Sequence, residues 1–247
     1  MKKKDEIKVC LVGSSGGHLT HLYMLKPFWK DKNRFWVTFD KEDARSLLEG
    51  EKVYPCYFPT NRSIKALIKN TKIAWDSELT ALYWIWKNDV SDVTGIVHYR
   101  RYLSSRPRLG YDGILNDEEI EKFLGKYQMI VAKPRFYIEG VDKHYINCHK
   151  TQHQRCKAQL SILESVIKET QPDYLEAYRK VMKSKSAHMF NMFITSRKIL
   201  ADYCGWLFPI LYETEKRIDE ADVSYERLMG SLSEFLLDVW IKSKYSF

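Results

Sequence analysis

A short apolar run near the start of the chain ends in glycine and leads directly into a helical pattern. The run IKVCLVG (residues 7–13) is rich in β-branched residues and predicts a buried parallel strand. After the turn SSGGH (residues 14–18), Leu19 and Leu22 recur at helical spacing, so a helix is predicted to begin at His18. A strand that passes through a tight glycine turn into a helix restricts the chain to α/β folds.

The alternation of strand and helix continues after this first turn. RFWVTF (residues 34–39) predicts a second strand, residues 42–49 predict a helix, and KVYPCYF (residues 52–58) predicts a third strand. Consecutive strands joined by helices favour a parallel sheet, because each helix returns the chain to the edge where the next strand begins. Residues 1–72 are therefore predicted to form a Rossmann-like βαβ piece.

The glycines of the turn allow the backbone to approach a ligand closely. Gly16 and Gly17 can adopt positive φ, and the free N–H groups of the following helix favour an anion. We therefore predict that Gly16, Gly17 and His18 bind the phosphate of a donor. The turn matches neither GxGxxG nor a Walker loop, so glycines that only shape the turn are the alternative.

Three motifs of the first piece occur together in a known family. KVCLVGSSGGHLTHLYMLKPFWK, RFWVTF and YFPTNRSIKALIKN resemble the start of bacterial exopolysaccharide proteins related to the membrane-recruiting subunit of the two-part UDP-GlcNAc transferase. The resemblance implies half of a GT-B-like fold, a separate catalytic subunit, and a position for residues 13–18 near the cleft for donor and lipid-phosphate acceptor. That family's domain continues well beyond Asn70, and here its remainder is missing.

The composition changes after residue 72, where a second piece begins. Residues 75–88 predict an amphipathic helix, and residues 93–103 predict a strand that leads into the cluster HYRRY. Asn116 and Glu119 have capping-box spacing at the start of a helix. Two further strands are predicted, at residues 128–132 and at AHMFNMFIT (residues 187–195). Four further helices are predicted, at residues 155–169, 172–182, 196–217 and 225–242.

The second piece also carries motifs of a known family. ELTALYWIWKN, GIVHYRRYL, MFNMFI and GSLSEFLLDVW, in this order, resemble a family of bacterial capsule glycosyltransferases catalogued as a domain of unknown function. The resemblance implies a nucleotide-sugar-dependent hexosyltransferase of GT-A-like fold, with galactose as a candidate donor sugar. The family's own first segment is absent, and the first piece stands in its place.

The predicted fold class is α/β. A Rossmann-like βαβ fragment, GT-B-like and partial, occupies residues 1–72. It is joined to an N-terminally truncated, GT-A-like α/β glycosyltransferase piece at residues 73–247, which has a helical C-terminal part.

Cationic side chains follow the predicted strand at residues 93–97. Transfer from a sugar diphosphate builds negative charge on the leaving phosphate, and fixed cations aimed at that charge stabilise the transition state. We predict that His98, Arg100 and Arg101 bind the donor phosphate, because they follow the end of a strand in an α/β sheet. A salt-bridge cluster at the surface is the alternative.

A carboxylate is also expected in the site, because the acceptor hydroxyl must lose its proton as it attacks. Asp76, Glu78 and Glu234 are the candidate catalytic residues. Asn191, in MFNMF, is the candidate for binding the acceptor. Each of these residues has an alternative role outside a site. Asp76 and Glu78 can cap a helix or pair with a lysine, Glu234 can be a solvated carboxylate, and Asn191 can satisfy the backbone.

The sequence leaves the use of a metal open. GT-A enzymes commonly hold Mg²⁺ or Mn²⁺ through a D-x-D motif, and this chain contains none. His144, His149 and His153 do not have the spacing of a zinc ligand set. No metal ligand is therefore assigned, and the two arginines are the alternative source of positive charge.

The net positive charge is concentrated in the first piece. Residues 1–72 hold 15 Lys and Arg against 8 Asp and Glu, whereas residues 73–247 hold 25 against 24. A basic surface attracts phosphate, anionic lipid or nucleic acid, and no nucleic-acid-binding motif is present. We therefore expect an anionic membrane surface as a partner, and no nucleic acid.

The cysteines and the apolar runs indicate the cellular location of the protein. Five cysteines without CxxC spacing favour reduced thiols, and no apolar run reaches the ~20 residues of a spanning helix. We expect a cytoplasmic protein, peripheral to the inner face of the membrane.

Two functions stay open. The first is an active transferase of capsule or exopolysaccharide synthesis, whose partners are a nucleotide-sugar donor and a lipid-linked saccharide acceptor. The second is a non-catalytic partner or fusion remnant of a two-component glycosyltransferase, for which a second glycosyltransferase subunit is the expected partner.

Overall fold

The first part of the fold is a parallel sheet with helices between its strands. Its strands, hydrogen-bonded in chain order, are β1 (Lys8–Val12), β2 (Asn33–Phe39) and β3 (Val53–Cys56). The connecting segments contain α1 (Gly17–Met24), α2 (Lys26–Trp29) and α3 (Glu42–Leu47). The Rossmann-like arrangement predicted for this part of the chain is confirmed.

The computed structural model describes residues 8–13, 15–56, 77–88, 91–97, 101–105, 113–148, 151–225 and 228–245. The seam predicted near residues 70–75 lies outside these ranges, so the boundary between residues 72 and 73 stays a prediction. Asp76, His98 and Arg100 also lie outside the described residues, as does the side chain of Glu78.

Two tryptophans form the centre of the core beside the parallel sheet. Trp29 and Trp36 are fully buried, and their rings meet edge to face with centroids 5.3 Å apart. The indole N–H of Trp29 donates to the carbonyl of Leu22 at 2.9 Å, so this buried polar group is satisfied. Such an aromatic pair contributes about 0.5–1.5 kcal/mol beyond the burial of its area. The pair holds α2 against β2.

A second sheet is antiparallel. Its strands are β4 (Val93–Ile96), β5 (Met129–Val131) and β8 (Phe193–Ser196), with β8 in the centre. Because both outer strands run opposite to β8, their carboxyl ends meet at one edge, where Ile96 and Val131 both pair with Phe193. Two helices belong to the same part of the chain, α4 (Ser77–Asn88) and α5 (Asp117–Leu124).

The capping box predicted at the start of α5 is confirmed. Asn116 Oδ1 accepts from the backbone N–H of Glu119 at 2.9 Å, and Glu119 Oε2 accepts from the backbone N–H of Asn116 at 3.2 Å. These two bonds satisfy backbone donors that a helix start leaves without partners.

Residues from both predicted pieces pack together in one compact unit, which contains residues 1–131 and 192–200. The ring of Phe35 on β2 lies 5.2 Å from the ring of Trp84 on α4. Lys32, just before β2, forms an ion pair of 2.7 Å with Asp117 on α5. The parallel sheet is therefore packed against elements of the second piece.

The second compact unit contains residues 132–191 and 201–247 and is mainly helical. Its helices are α6 (Val141–Cys148), α7 (His153–Thr170), a 3₁₀ turn (Pro172–Tyr174), α8 (Leu175–Lys183), most of α9 (Arg197–Glu220) and α10 (Leu228–Lys244). A short antiparallel ribbon pairs β6 (Arg135–Phe136) with β7 (Ser186–Ala187). The helical C-terminal part of the predicted fold class is thus confirmed. Among the described residues, no helix combines the length and apolar character needed to cross a membrane.

The single strand predicted at residues 187–195 is wrong. β7 ends at Ala187 and β8 begins at Phe193, and between them Phe190 and Asn191 have φ values of 78° and 50°. These values are left-handed, so the extended chain is interrupted by a turn. The alternation of side chains suggested a strand, but hydrogen bonds from this turn to α10 decide its conformation.

Candidate active site

Asn191 anchors the left-handed turn to α10. Its side chain is 3% exposed, and its Nδ2 donates to the hydroxyl of Ser233 at 2.8 Å. The Ser233 hydroxyl in turn donates to the carbonyl of Gly230 at 2.7 Å. The buried Oδ1 of Asn191 has no hydrogen-bond partner within the described residues. A buried acceptor without a partner is costly, which makes Asn191 a position of interest for a ligand or a water.

His188 and Asp238 form a hydrogen-bonded pair beside this turn. Nδ1 of His188 lies 2.5 Å from Oδ1 of Asp238, and the backbone N–H of His188 donates to the other carboxylate oxygen at 2.8 Å. Asp238 is 5% exposed, whereas the side chain of His188 is half-buried. The carboxylate fixes the orientation of the imidazole, so its second nitrogen, Nε2, can face a reactant.

Glu234 lies on the same face of α10 as Asp238, one turn earlier, because side chains four residues apart are neighbours on a helix. Both carboxylates act on the hydroxyl of Tyr137. Burial raises the pKa of Tyr137, the charge of Arg135 opposes that rise, and the carboxylates of Glu234 and Asp238 add to it. The hydroxyl is buried and has no hydrogen-bond partner in the part of the chain that the structure describes.

Arg135 and His144 complete the surroundings of Tyr137. The guanidinium of Arg135 lies 5.9 Å from the centroid of the Tyr137 ring and 5.4 Å from that of Phe190. The ring of His144 packs on Tyr137 with centroids 4.1 Å apart. Burial lowers the pKa of His144, and the nearby charge of Arg135 lowers it further.

This arrangement can perform proton transfer at a hydroxyl. It contains the imidazole of His188, oriented by Asp238, and the carboxylate of Glu234 one helical turn before Asp238. The buried amide of Asn191 fixes the left-handed turn to α10. An imidazole oriented by a buried carboxylate is a common general base, because it accepts a proton near neutral pH. No group of three or more His, Cys, Asp or Glu side chains could hold a metal ion within the described ranges.

The glycine turn before α1 is closed by a carboxylate. Gly16 has a φ of 79°, and its N–H donates to Oδ2 of Asp43 at 2.7 Å. Gly17 and His18 begin α1 and are exposed. Asp43 therefore occupies one of the N–H groups predicted to bind phosphate. The role of Gly16, Gly17 and His18 in binding a donor stays a prediction.

The remaining predicted phosphate ligand, Arg101, lies in the first compact unit and is exposed. Its neighbour Tyr102 packs against the core formed by α1, α2 and the parallel sheet, which includes Leu19 and Trp29. The segment that carries Arg101 is therefore fixed beside the helices that follow the glycine turn.

The structure brings together two of the predicted site residues and adds two others. Asn191 is hydrogen-bonded to Ser233, the residue next to Glu234. His188 and Asp238 are not among the residues predicted from the sequence. Their signals were a histidine three residues before Asn191 and a second acid four residues after Glu234.

A family model described as "Domain of unknown function (DUF4422)" matches residues 68–245, most of the chain. The chain belongs to the DUF4422 family. His188, Asn191, Glu234 and Asp238 all lie in the DUF4422 region, whereas the glycine turn lies before it. The domain of unknown function expected from the second set of motifs is thereby confirmed, and the family resemblance of residues 1–72 stays a prediction.

This DUF4422 protein is similar to the apo structure of the bifunctional glycosyltransferase WbbM. The TM-score is 0.59 at 21% sequence identity, over 86% of this chain and 39% of that chain. This chain thus spans about two fifths of the length of WbbM. The similarity confirms an α/β fold of the glycosyltransferase type, and it covers more of the chain than the DUF4422 match. No curated protein matches the chain.

Proposed function

We propose that the chain is a glycosyltransferase of capsule or exopolysaccharide synthesis. It transfers a hexose, with galactose as the candidate, from a nucleotide sugar such as a UDP-sugar to a lipid-linked saccharide acceptor. The fold and the family support this proposal. The observation that carries it is the imidazole of His188, oriented by the buried carboxylate of Asp238 and accompanied by Glu234 and Asn191.

The proposed reaction is a displacement at the anomeric carbon of the donor. Nε2 of His188 takes the proton of the acceptor hydroxyl, while the hydroxyl oxygen forms a bond to that carbon and the bond to the diphosphate breaks. Asp238 orients the imidazole and balances the positive charge that it gains. Glu234 and Asn191 are proposed to bind acceptor hydroxyls.

The leaving diphosphate carries the negative charge that develops. His98, Arg100 and Arg101 of the first unit are proposed as ligands of the donor phosphate, with Gly16, Gly17 and His18 as further candidates, and their role is tested separately from that of His188. Mg²⁺ or Mn²⁺ bound to the diphosphate would supply additional charge, so donor turnover is to be measured with each ion and with a chelator. The lipid-linked acceptor implies work at the inner face of the membrane, either alone or with a second glycosyltransferase subunit.

Turnover of UDP-sugars by the purified chain tests the proposal, with release of UDP as the readout. His188→Ala should lower kcat by about 10²-fold or more, because a general base contributes at least that much. The donor KM and the melting temperature should change little, and added imidazole should restore part of the rate. Asp238→Asn should also lower kcat strongly. Its amide oxygen would accept from the backbone N–H of His188 and its NH2 would donate to Nδ1, which leaves the proton on Nε2, the nitrogen that has to accept one.

His153→Asn is the matched control, because His153 is an exposed histidine of the same unit at the start of α7. It should keep the wild-type rate. If His188→Ala also keeps the wild-type rate, the pair with Asp238 only holds the turn against α10.

In the same assay Arg101→Ala should lower donor turnover, and lysine should restore it poorly, since it lacks the forked geometry of arginine.

A non-catalytic partner subunit is the second candidate, and the Asp43–Gly16 contact favours it. A carboxylate at the glycine turn competes with a phosphate for the N–H of Gly16. Wild-type chain that neither turns over nor binds any UDP-sugar in calorimetry would support this second function and contradict the first.

A further inference from the structure

One face of the ribbon formed by β6 and β7 carries two cations. Arg135 and Tyr137 occupy alternate positions of an extended segment, so their side chains share this face. Arg135 pairs with Ala187, and the N–H of Tyr137 donates to the carbonyl of Lys185 at 2.8 Å. Lys185 is therefore the diagonal neighbour of Arg135 across the ribbon. Both cations are exposed, and neither forms an ion pair with a described residue.

Two aromatic rings hold the guanidinium of Arg135. It lies 5.9 Å from the ring centroid of Tyr137 and 5.4 Å from that of Phe190, which belongs to the left-handed turn of the candidate site. A cation within about 6 Å of a ring is attracted by the negative face of that ring. None of the N–H groups of Arg135 donates to a described residue. The rings thus orient the guanidinium without using its hydrogen-bonding groups.

This face of the ribbon lies on the side of the carboxylates of α10. The hydroxyl of Tyr137 is within range of three charges, because Arg135 lowers its pKa whereas Glu234 and Asp238 raise it. Asp238 is not the counterion of Arg135, since both of its oxygens are bonded to His188. The candidate site therefore has an oriented cation with its N–H groups available to a ligand.

We propose that Arg135 binds a phosphate group of a substrate, with Lys185 as a second cation beside it. A guanidinium presents its N–H groups in a planar fork that matches two oxygens of a phosphate, and such charge-assisted bonds are stronger than those between neutral groups. The inference rests on the proposed function, in which the nucleotide-sugar donor and the lipid-linked acceptor both carry phosphate. It adds to the site of His188 an anion-binding residue that the proposed function does not assign.

Calorimetry with two diphosphates tests the inference and separates the two sources of phosphate. UDP represents the donor, and geranyl diphosphate represents the acceptor. The wild type should bind at least one of them, and Arg135→Gln should weaken that binding by about tenfold or more, because it removes a hydrogen bond to a charged group. Arg135→Lys should restore only part of the affinity, since an ammonium lacks the fork.

The pattern of losses identifies the substrate. A loss limited to UDP assigns Arg135 to the donor, and a loss limited to geranyl diphosphate assigns it to the acceptor. Equal losses for both compounds indicate one phosphate subsite that accepts either. The melting temperature should change little in the Arg135 variants, because the side chain is exposed.

Arg155→Gln is the matched control, because Arg155 is an exposed arginine of α7 in the same unit and forms no ion pair with a described residue. It should bind both diphosphates as the wild type does. Equal weakening by Arg135→Gln and Arg155→Gln would overturn the inference, because binding would then depend on net charge alone. A wild type that binds neither diphosphate would also overturn it, as would an Arg135→Gln variant that binds both like the wild type.

Turnover of a UDP-sugar separates this inference from the proposed function. A wild type that binds a diphosphate through Arg135 but releases no UDP would keep the phosphate site and contradict the transferase. An Arg135→Gln variant with unchanged kcat, KM and diphosphate affinity, beside an inactive His188→Ala variant, would keep the transferase and overturn the phosphate site.

Discussion

Gly16 and Gly17 are adjacent in the chain but differ in what their backbone positions require. Gly16 has φ 79° and ψ −143°, which residues with a Cβ rarely adopt, and its N–H is bound by Asp43. Gly17 has an ordinary helical position, and a Cβ added there would meet nothing within 4 Å. The first glycine is therefore required by the turn, whereas the second is open to substitution.

We expect Gly16→Ala to destabilise the fold by about 1–3 kcal/mol, the usual cost of a strained backbone conformation. Gly17→Ala should leave the melting temperature unchanged or raise it slightly, because alanine favours the helix over glycine. Thermal unfolding of the two variants checks both statements. If Gly17→Ala keeps its stability but binds a UDP-sugar more weakly, the glycine turn contacts the donor. Equal losses of stability in both variants would contradict the difference between the two positions.

Single residues of the candidate site could be foreseen only in part. The need for a carboxylate to deprotonate the acceptor makes Glu234 a candidate, and its place in MFNMF makes Asn191 one. His188 and Asp238 were not predicted, because their contact joins residues 50 positions apart and neither has a local pattern that points to the other. Pairing of this kind depends on how α10 packs, which periodicity does not reveal.

At the scale of elements, hydrophobic periodicity predicted most helices and strands within a few residues. The strands of the parallel sheet and the capped start of α5 follow directly from apolar runs, glycines and capping residues. The prediction of one strand at residues 187–195 is wrong because the same alternation of apolar residues fits two short strands joined by a turn. Hydrogen bonds to Asp238 and Ser233 on α10 favour the turn, and the local sequence does not contain that information.

The ion pair between Arg34 and Glu51 fixes β2 to the turn before β3 and makes the stability of the fold depend on pH. Glu51 accepts from Arg34 at 2.5 and 2.8 Å and from the indole N–H of Trp36 at 3.0 Å. The bond with Arg34 is the main reason why the pKa of Glu51 lies below its ordinary value of 4.5. A carboxylate with a depressed pKa stabilises the fold above its unfolded pKa, and this contribution is lost as the pH falls through the folded value.

We expect Glu51→Gln to lower the free energy of unfolding at pH 7 by about 2 kcal/mol, the size of a hydrogen bond to a charged group. The difference from the wild type should shrink as the pH falls below 4.5. Denaturant titrations between neutral and acidic pH measure it. Glu49→Gln is the control, because Glu49 is an exposed neighbour that forms no ion pair with a described residue. A Glu51→Gln effect that does not depend on pH would contradict the role of charge.

At the scale of the whole chain, the two predicted pieces need not be two independent structures. The DUF4422 match begins at residue 68, yet the similarity to WbbM covers a larger share of the chain, so it extends into the residues before that point. The contacts agree, because β2 of the first piece packs on α4, and Lys32, just before β2, forms an ion pair with Asp117 on α5. Sequence motifs revealed a change of resemblance, but they carry no information on whether the two parts share a core.

The contact between Phe35 and Trp84 offers a test of this shared core. Phe35 is 4% exposed, and its ring centroid lies 5.2 Å from that of Trp84, which also lies 5.5 Å from Tyr54 on β3. If the two pieces fold as one unit, Phe35→Ala and Trp84→Ala remove the same aromatic contact. The double variant should then lose less stability than the sum of the single losses. We expect a coupling energy of about 0.5–1.5 kcal/mol from denaturant unfolding of the four proteins.

The control cycle replaces Trp84 with Trp86, whose ring contacts Tyr83 and Lys87 on its own helix. Phe35→Ala and Trp86→Ala should add without coupling, because the two side chains belong to different contacts. Additive losses at Phe35 and Trp84 would contradict a core shared by residues before the seam and the family region. The first piece would then be an appended fragment. With coupling in the first cycle and none in the second, that piece shares a core with the start of the family region.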